Sequence, residues 1–71
     1  MKLRKIQAGI YEITENGKGI GRVGDKRKAN LYDLNNLHWV INFYPTSNYS
    51  DHRLNKQSFR TLTEAKKKLG L

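Results

Sequence analysis

The chain has 71 residues, enough for a single domain over 1–71 that buries only about 60% of the surface its unfolded form exposes. It contains no cysteine, which excludes a disulfide framework and thiolate zinc sites, and no run approaches the roughly 20 apolar residues of a membrane-crossing helix. Fourteen Lys and Arg face six Asp and Glu, a net charge of +8 with a pI near 10.1, and a field of that sign draws polyanions, of which nucleic acid is the commonest inside a cell.

Residues 1–8, MKLRKIQA, alternate loosely and are half basic, so they read either as a frayed arm or as an edge strand. They show no continuous apolar run and no signal-cleavage pattern, and a soluble cytoplasmic protein is expected. In the next stretch, GIYEITENGKGIGRVG, Tyr11 and Ile13 fall on one side of a strand and Ile10, Glu12 and Thr14 on the other. Asn16-Gly17 then marks a hairpin, because a type I′ turn needs positive φ at both central residues. On the return strand, strict alternation puts Ile20 and Arg22 on one face and Val23 on the other. Gly19, Gly21 and Gly24 there indicate strong twist or close backbone approach. These glycines follow a hairpin turn and precede no helix, so they are not a dinucleotide-binding fingerprint.

Residues 25–37, DKRKANLYDLNNL, read as a connector. Asp33 to Asn36 supply turn chemistry, and a short helical turn around Ala29 to Leu34 would tuck Leu31 and Leu34 under the sheet. HWVINFYP, 38–45, is the clearest strand, with Trp39, Ile41 and Phe43 on one face and Val40, Asn42 and Tyr44 on the other. Pro45 ends it. The polar loop TSNYSD leads into a last strand within HRLNKQSFR, 52–60, where Leu54 and Phe59 face inward. A helix follows. Thr61 is its N-cap and Glu64 completes the spacing of a capping box. Leu62, Ala65 and Leu69 form a narrow apolar stripe, and Gly70 is the stop. So short a helix needs a sheet to pack on, most simply the face of Trp39, Ile41 and Phe43. The expected class is α+β: a small twisted antiparallel sheet of three or four strands with one C-terminal helix packed on one face.

No catalytic constellation is visible. His38 and His52 have no Asp or Glu at ligand spacing, Ser47, Ser50 and Ser58 lack a partner pattern, and no two carboxylates pair as general acid and base. A protein without catalysis, metal or cofactor is expected. Lys26-Arg27-Lys28 reads as a phosphate-contacting loop or as a solvated loop end. Lys66 to Lys68 run round most of the helix and read as a solvated face. The sheet face away from the helix gathers Tyr44 with Lys18, Arg22, Arg53 and Lys56, and aromatic and basic groups together suit a duplex groove or exposed bases. A competing reading has the basic arm, residues 2–6, covering Val40 and Tyr44. The nucleic-acid-binding residues expected are therefore Lys18, Arg22, Lys26, Arg27, Lys28, Tyr44, Arg53 and Lys56.

The strand HWVINFYP, the second strand ending in an aromatic (RLNKQSF), and the corner Phe59-Arg60-Thr61-Leu62-Thr63-Glu64-Ala65 resemble the three-stranded-sheet-plus-helix DNA-binding domains. These include the AP2 domain and the arm-type domain of tyrosine-recombinase integrases. The chain is also similar to small uncharacterised proteins that bacteriophages encode. The resemblance spans residues 38–69 and implies a sheet face that reads DNA, and a host-cytoplasmic location if the protein is phage-encoded. The sequence departs from it in the Asn-Gly hairpin and long connector ahead of the Trp strand and in the TSNYSD loop. A phage-type nucleic-acid-binding protein, with DNA favoured and no membrane partner, is the leading expectation. The alternative is a protein-interaction module that inhibits or adapts a host protein, through an exposed strand or through Trp39, Tyr11, Tyr44 or Tyr49.

Overall fold

The computed structural model describes residues 1–29 and 36–71. Five antiparallel strands form one sheet in sequence order: β1 (Lys2–Gln7), β2 (Ile10–Glu15), β3 (Lys18–Asp25), β4 (Trp39–Phe43) and β5 (Ser58–Phe59). One helix, α1 (Leu62–Lys68), follows. The α+β class and the C-terminal helix are as expected, but the sheet has five strands where three or four were expected. The extra strand is β1, which pairs along β2 from Lys2↔Thr14 to Gln7↔Ile10. The reading that laid residues 2–6 over Val40 and Tyr44 is thereby corrected, because β1 lies beside β2 at the sheet edge and is separated from β4 by two strands. Gly9, at φ 82, makes the tight return between β1 and β2.

The β2–β3 hairpin turns on Asn16 and Gly17, at φ 54 and 80, the positive pair that a type I′ turn requires. Glu15↔Lys18 and Thr14↔Gly19 follow in register, and then the pairing slips to Ile13↔Gly21. Ile20 is the extra residue of a bulge. Unbroken alternation would have put Ile20 beside Arg22 on one face. The bulge instead turns Ile20 into the core, where it is 4% exposed, and leaves Arg22 exposed on the other face.

Residues opposite one another on paired antiparallel strands share a face. Leu3, Ile13, Gly21 and Phe43 make one row of the inner face, and Tyr11, Val23 and Ile41 make the next. Ile13, Val23, Ile41 and Phe43, with Ile20, Leu54 and Ala65, form the core, and Leu3, Tyr11, Trp39, Phe59, Leu62 and Leu69 pack against it. Gly21 is required by closeness: a Cβ there would stand 2.6 Å from the Asn42 carbonyl oxygen and 2.9 Å from Phe43 Cα. The helix covers this face through Ala65, which is fully buried. Its N-cap is Thr61, whose Oγ1 accepts the Glu64 N–H at 3.1 Å. Glu64 reaches one residue further back than in the standard box and accepts the Arg60 N–H at 3.2 Å. Gly70, at φ 82, closes a Schellman motif in which its own N–H meets Lys67 O and the Leu71 N–H meets Lys66 O.

The last strand is shorter than expected. A strand within residues 52–60 is expected, and only Ser58–Phe59 pair as β5. Local turn bonds bend much of the rest, His52 N–H to Tyr49 O, Asn55 N–H to His52 O and Gln57 N–H to Leu54 O, although Lys56 N–H and Gln57 O still bond Ile41 of β4. Leu54 is buried and Phe59 half-buried, both inward as expected. Residues 26–29 form a 3₁₀ turn, Lys26–Ala29. The helical turn expected at Ala29 to Leu34, with Leu31 and Leu34, falls mostly outside the described residues. Among those residues no helix is long and apolar enough to cross a membrane.

Candidate nucleic-acid interface

The outer face of the sheet is built in rows. Arg4, Glu12, Arg22 and Asn42 stand opposite one another across β1, β2, β3 and β4. The next row is Ile10, Gly24, Val40 and Ser58, across β2 to β5. Two residues of strand, about 7 Å, separate the rows. A polar row thus runs beside an apolar one, both at right angles to the strands.

The polar row is joined by hydrogen bonds. Arg4 Nη2 donates to Glu12 Oε1 at 2.6 Å. The Tyr44 hydroxyl donates to Glu12 Oε2 at 3.0 Å and accepts from Arg22 Nε at 3.1 Å. Tyr44 is thereby tied to Glu12, and Arg22 is linked to the same carboxylate only through the Tyr44 hydroxyl. Gly19 makes room for that carboxylate, since a Cβ at position 19 would come within 2.7 Å of Glu12 Oε2. Tyr44 itself is anchored at the end of β4. Its N–H donates to Ile20 O at 2.8 Å, and its carbonyl accepts both the N–H and the hydroxyl of Ser47 across the Pro45-Thr46 turn.

Arg22, Tyr44 and Lys56 line one concavity of about 520 Å³, whose floor includes Ile10, Gly24 and Val40. Lys56 reaches it from the turn after Leu54. Its backbone N–H bonds Ile41 O at 2.7 Å, and it adopts a left-handed φ of 66. Asn55 fastens this turn to β4, accepting the Phe43 N–H at 2.9 Å and donating to Ser50 O at 2.9 Å.

The other expected residues are spread around the molecule. Lys18 stands at the β2–β3 turn, beside a smaller concavity of about 230 Å³ shared with Ser47 and Tyr49. Arg53 is exposed on the turn before Leu54. Lys26, Arg27 and Lys28 lie in the 3₁₀ turn that follows β3. Lys26 is half-buried, and its N–H donates to His38 O at 2.6 Å. Arg27 is committed to Asp25: Nε and Nη2 reach its two carboxylate oxygens at 3.0 and 2.9 Å, and the Arg27 N–H adds a third bond at 3.0 Å. Asp25 faces the inner side opposite Trp39 and is buried. The Arg27 side-chain bonds hold its carboxyl below the usual carboxylate range, against the upward push of burial, with a smaller contribution from the field of His38. Arg27 is correspondingly shifted upward by Asp25.

Sequence reasoning missed Glu12, Arg4 and the Ile10–Gly24–Val40 floor. Counting back from Asn16-Gly17 sets Glu12 opposite Gly21, one residue out of register with Arg22. Only the bulge at Ile20 brings Glu12 and Arg22 face to face. The signal for that bulge was the close pair Gly19 and Gly21.

Compared with known protein families, curated proteins and solved structures, the chain matches none.

Proposed function

We propose that the protein binds nucleic acid, with DNA favoured, through the outer face of its sheet and without chemistry of its own. The observation that carries this reading is the pairing of Arg22 and Tyr44 with Lys56 around one concavity on the face opposite the helix. The net charge of +8 supplies the long-range attraction. The phage-type origin and host-cytoplasmic setting belong to the same proposal. Lys18, Arg53 and the Lys26–Lys28 turn are peripheral phosphate contacts in it, with the Arg27 guanidinium already engaged by Asp25.

A protein-docking role is less well supported by the placement of the aromatics. Trp39 and Tyr11 pack on each other at 6.2 Å and on the core, and Tyr49 stacks on Phe43 at 5.6 Å. Among the described residues the exposed large hydrophobics are Ile6 and Leu71, which form no aromatic anchor of the kind that concentrates binding energy. The free edge of β1 carries Lys2, Arg4 and Lys5, charges that discourage strand addition.

The test is an anisotropy titration with labelled oligonucleotides at several salt concentrations. Affinity should fall by one or more orders of magnitude between about 50 and 200 mM salt. Arg22→Ala and Lys56→Ala should each reduce the salt slope by about 1, with Arg53→Ala smaller. Absence of binding at low salt would sink the proposal, and full binding by all three variants would place the contact elsewhere.

A further inference from the structure

We infer that the outer face takes an unpaired DNA strand, laid across the sheet with phosphates along the Arg4–Glu12–Arg22–Asn42 row and a base seated over Ile10, Gly24 and Val40. The inference rests on the nucleic-acid reading above and narrows it to single strands. A duplex presents phosphates and base edges but keeps the flat faces of its bases stacked inside. On a duplex, the apolar row of this sheet would meet only charge and water. An unpaired strand carries a charged edge and exposed apolar faces side by side, in the same arrangement as the two rows. Base faces are what sequence-tolerant single-strand binders bury, with a basic track alongside for the backbone.

The geometry of the floor supports this occupant. Gly24 stands between Ile10 and Val40 in the row, and with no side chain of its own it leaves the floor open. A Cβ there would meet only Gly9 O, at 4.0 Å. Gly24 lacks the positive φ of Gly9, Gly17 and Gly70, so neither turn geometry nor backbone crowding demands glycine at this position. The concavity, about 520 Å³, lies within the range of sites that hold small organic groups. Tyr44 contributes its ring to the wall, fixed through its hydroxyl. Arg22 and Lys56 on the same concavity bring positive charge to the phosphates flanking a seated base.

Gly24→Leu isolates the base seat, because it fills the floor and changes no charge. An oligothymidine of about 15 nucleotides should bind more tightly than a duplex of equal length, and Gly24→Leu should weaken the single strand about tenfold, well beyond any effect on the duplex. Circular dichroism checks that the variant is folded. If it is not, amide NMR shifts of the wild-type protein decide instead: Ile10, Gly24 and Val40 should move with oligothymidine and stay in place with duplex. Equal affinity for single strand and duplex, or a Gly24→Leu variant that binds oligothymidine as wild type does, would overturn the base seat and leave the general nucleic-acid reading standing. Binding of oligouridine with none of oligothymidine would overturn the assignment to DNA. No binding to any of them would overturn both readings.

Discussion

Lys56 combines two properties that a test can separate. Its φ of 66 is a left-handed conformation that costs a residue with a Cβ about 1 kcal/mol, and its side chain lines the outer concavity. Glycine adopts that conformation freely. Lys56→Gly should therefore leave stability unchanged or raise it by up to about 1 kcal/mol in urea denaturation, while weakening oligonucleotide binding. A clear loss of stability would mean that the aliphatic stem of Lys56 holds the turn, and that its place on the concavity is a consequence of packing. Arg27 shows the opposite case. It sits in one of the two three-residue basic runs of the sequence, yet Asp25 engages its guanidinium through both carboxylate oxygens. A run of like charges identifies where cations are dense, and only the fold shows which of them already has a partner.

At the scale of elements, β3 decides the layout of both faces. The bulge at Ile20 sends one apolar side chain inward and swings Arg22 outward, and Gly21 lets β4 approach closely enough to pair. Gly21→Ala should cost about 1–3 kcal/mol, because the atoms a Cβ would meet are backbone atoms of β4 that cannot rotate away. Gly24→Ala, with open space above it, should be neutral or stabilising, and urea denaturation of the pair gives the comparison. Equal midpoints would show that β3 and β4 are not tightly apposed at Gly21. The elements with complete local signals were legible in the sequence: the Asn16-Gly17 turn, the alternating Trp39–Phe43 strand, and the helix with its Thr61 cap and Gly70 stop. β1 was less so, because its charged residues dilute the alternation, and what establishes it is pairing with β2, a tertiary contact. The segment 52–60 lost most of its strand to turn bonds that no alternation rule reports. Of the site, alternation placed Tyr44 on the outer face, but Arg22 reaches that face, opposite Glu12, only through the bulge that shifts the register by one residue.

The whole molecule divides its work between two sides. The inner face is filled by the apolar residues and the helix, in a domain small enough that losing one or two kcal/mol removes a large share of its stability. The outer face is left to polar and charged groups around a narrow apolar strip. At its centre stands Glu12, bonded to Arg4 and Tyr44 and, through Tyr44, linked to Arg22. Glu12 thus acts as a built-in counterion. On the proposed nucleic-acid reading, a phosphate arriving at Arg4 would displace a carboxylate that is already there, so this face would exchange one anion for another where an unpaired arginine would simply gain one. The number of cations released from the nucleic acid on binding should then be smaller than the basic residues on the face suggest. Glu12→Gln keeps the shape and removes the competing charge. It should tighten oligonucleotide binding and steepen its salt dependence by up to one ion, measured by anisotropy over the same salt series. An unchanged slope would mean that Arg4 meets no phosphate even when the carboxylate is gone, and that the remaining cations carry the contact.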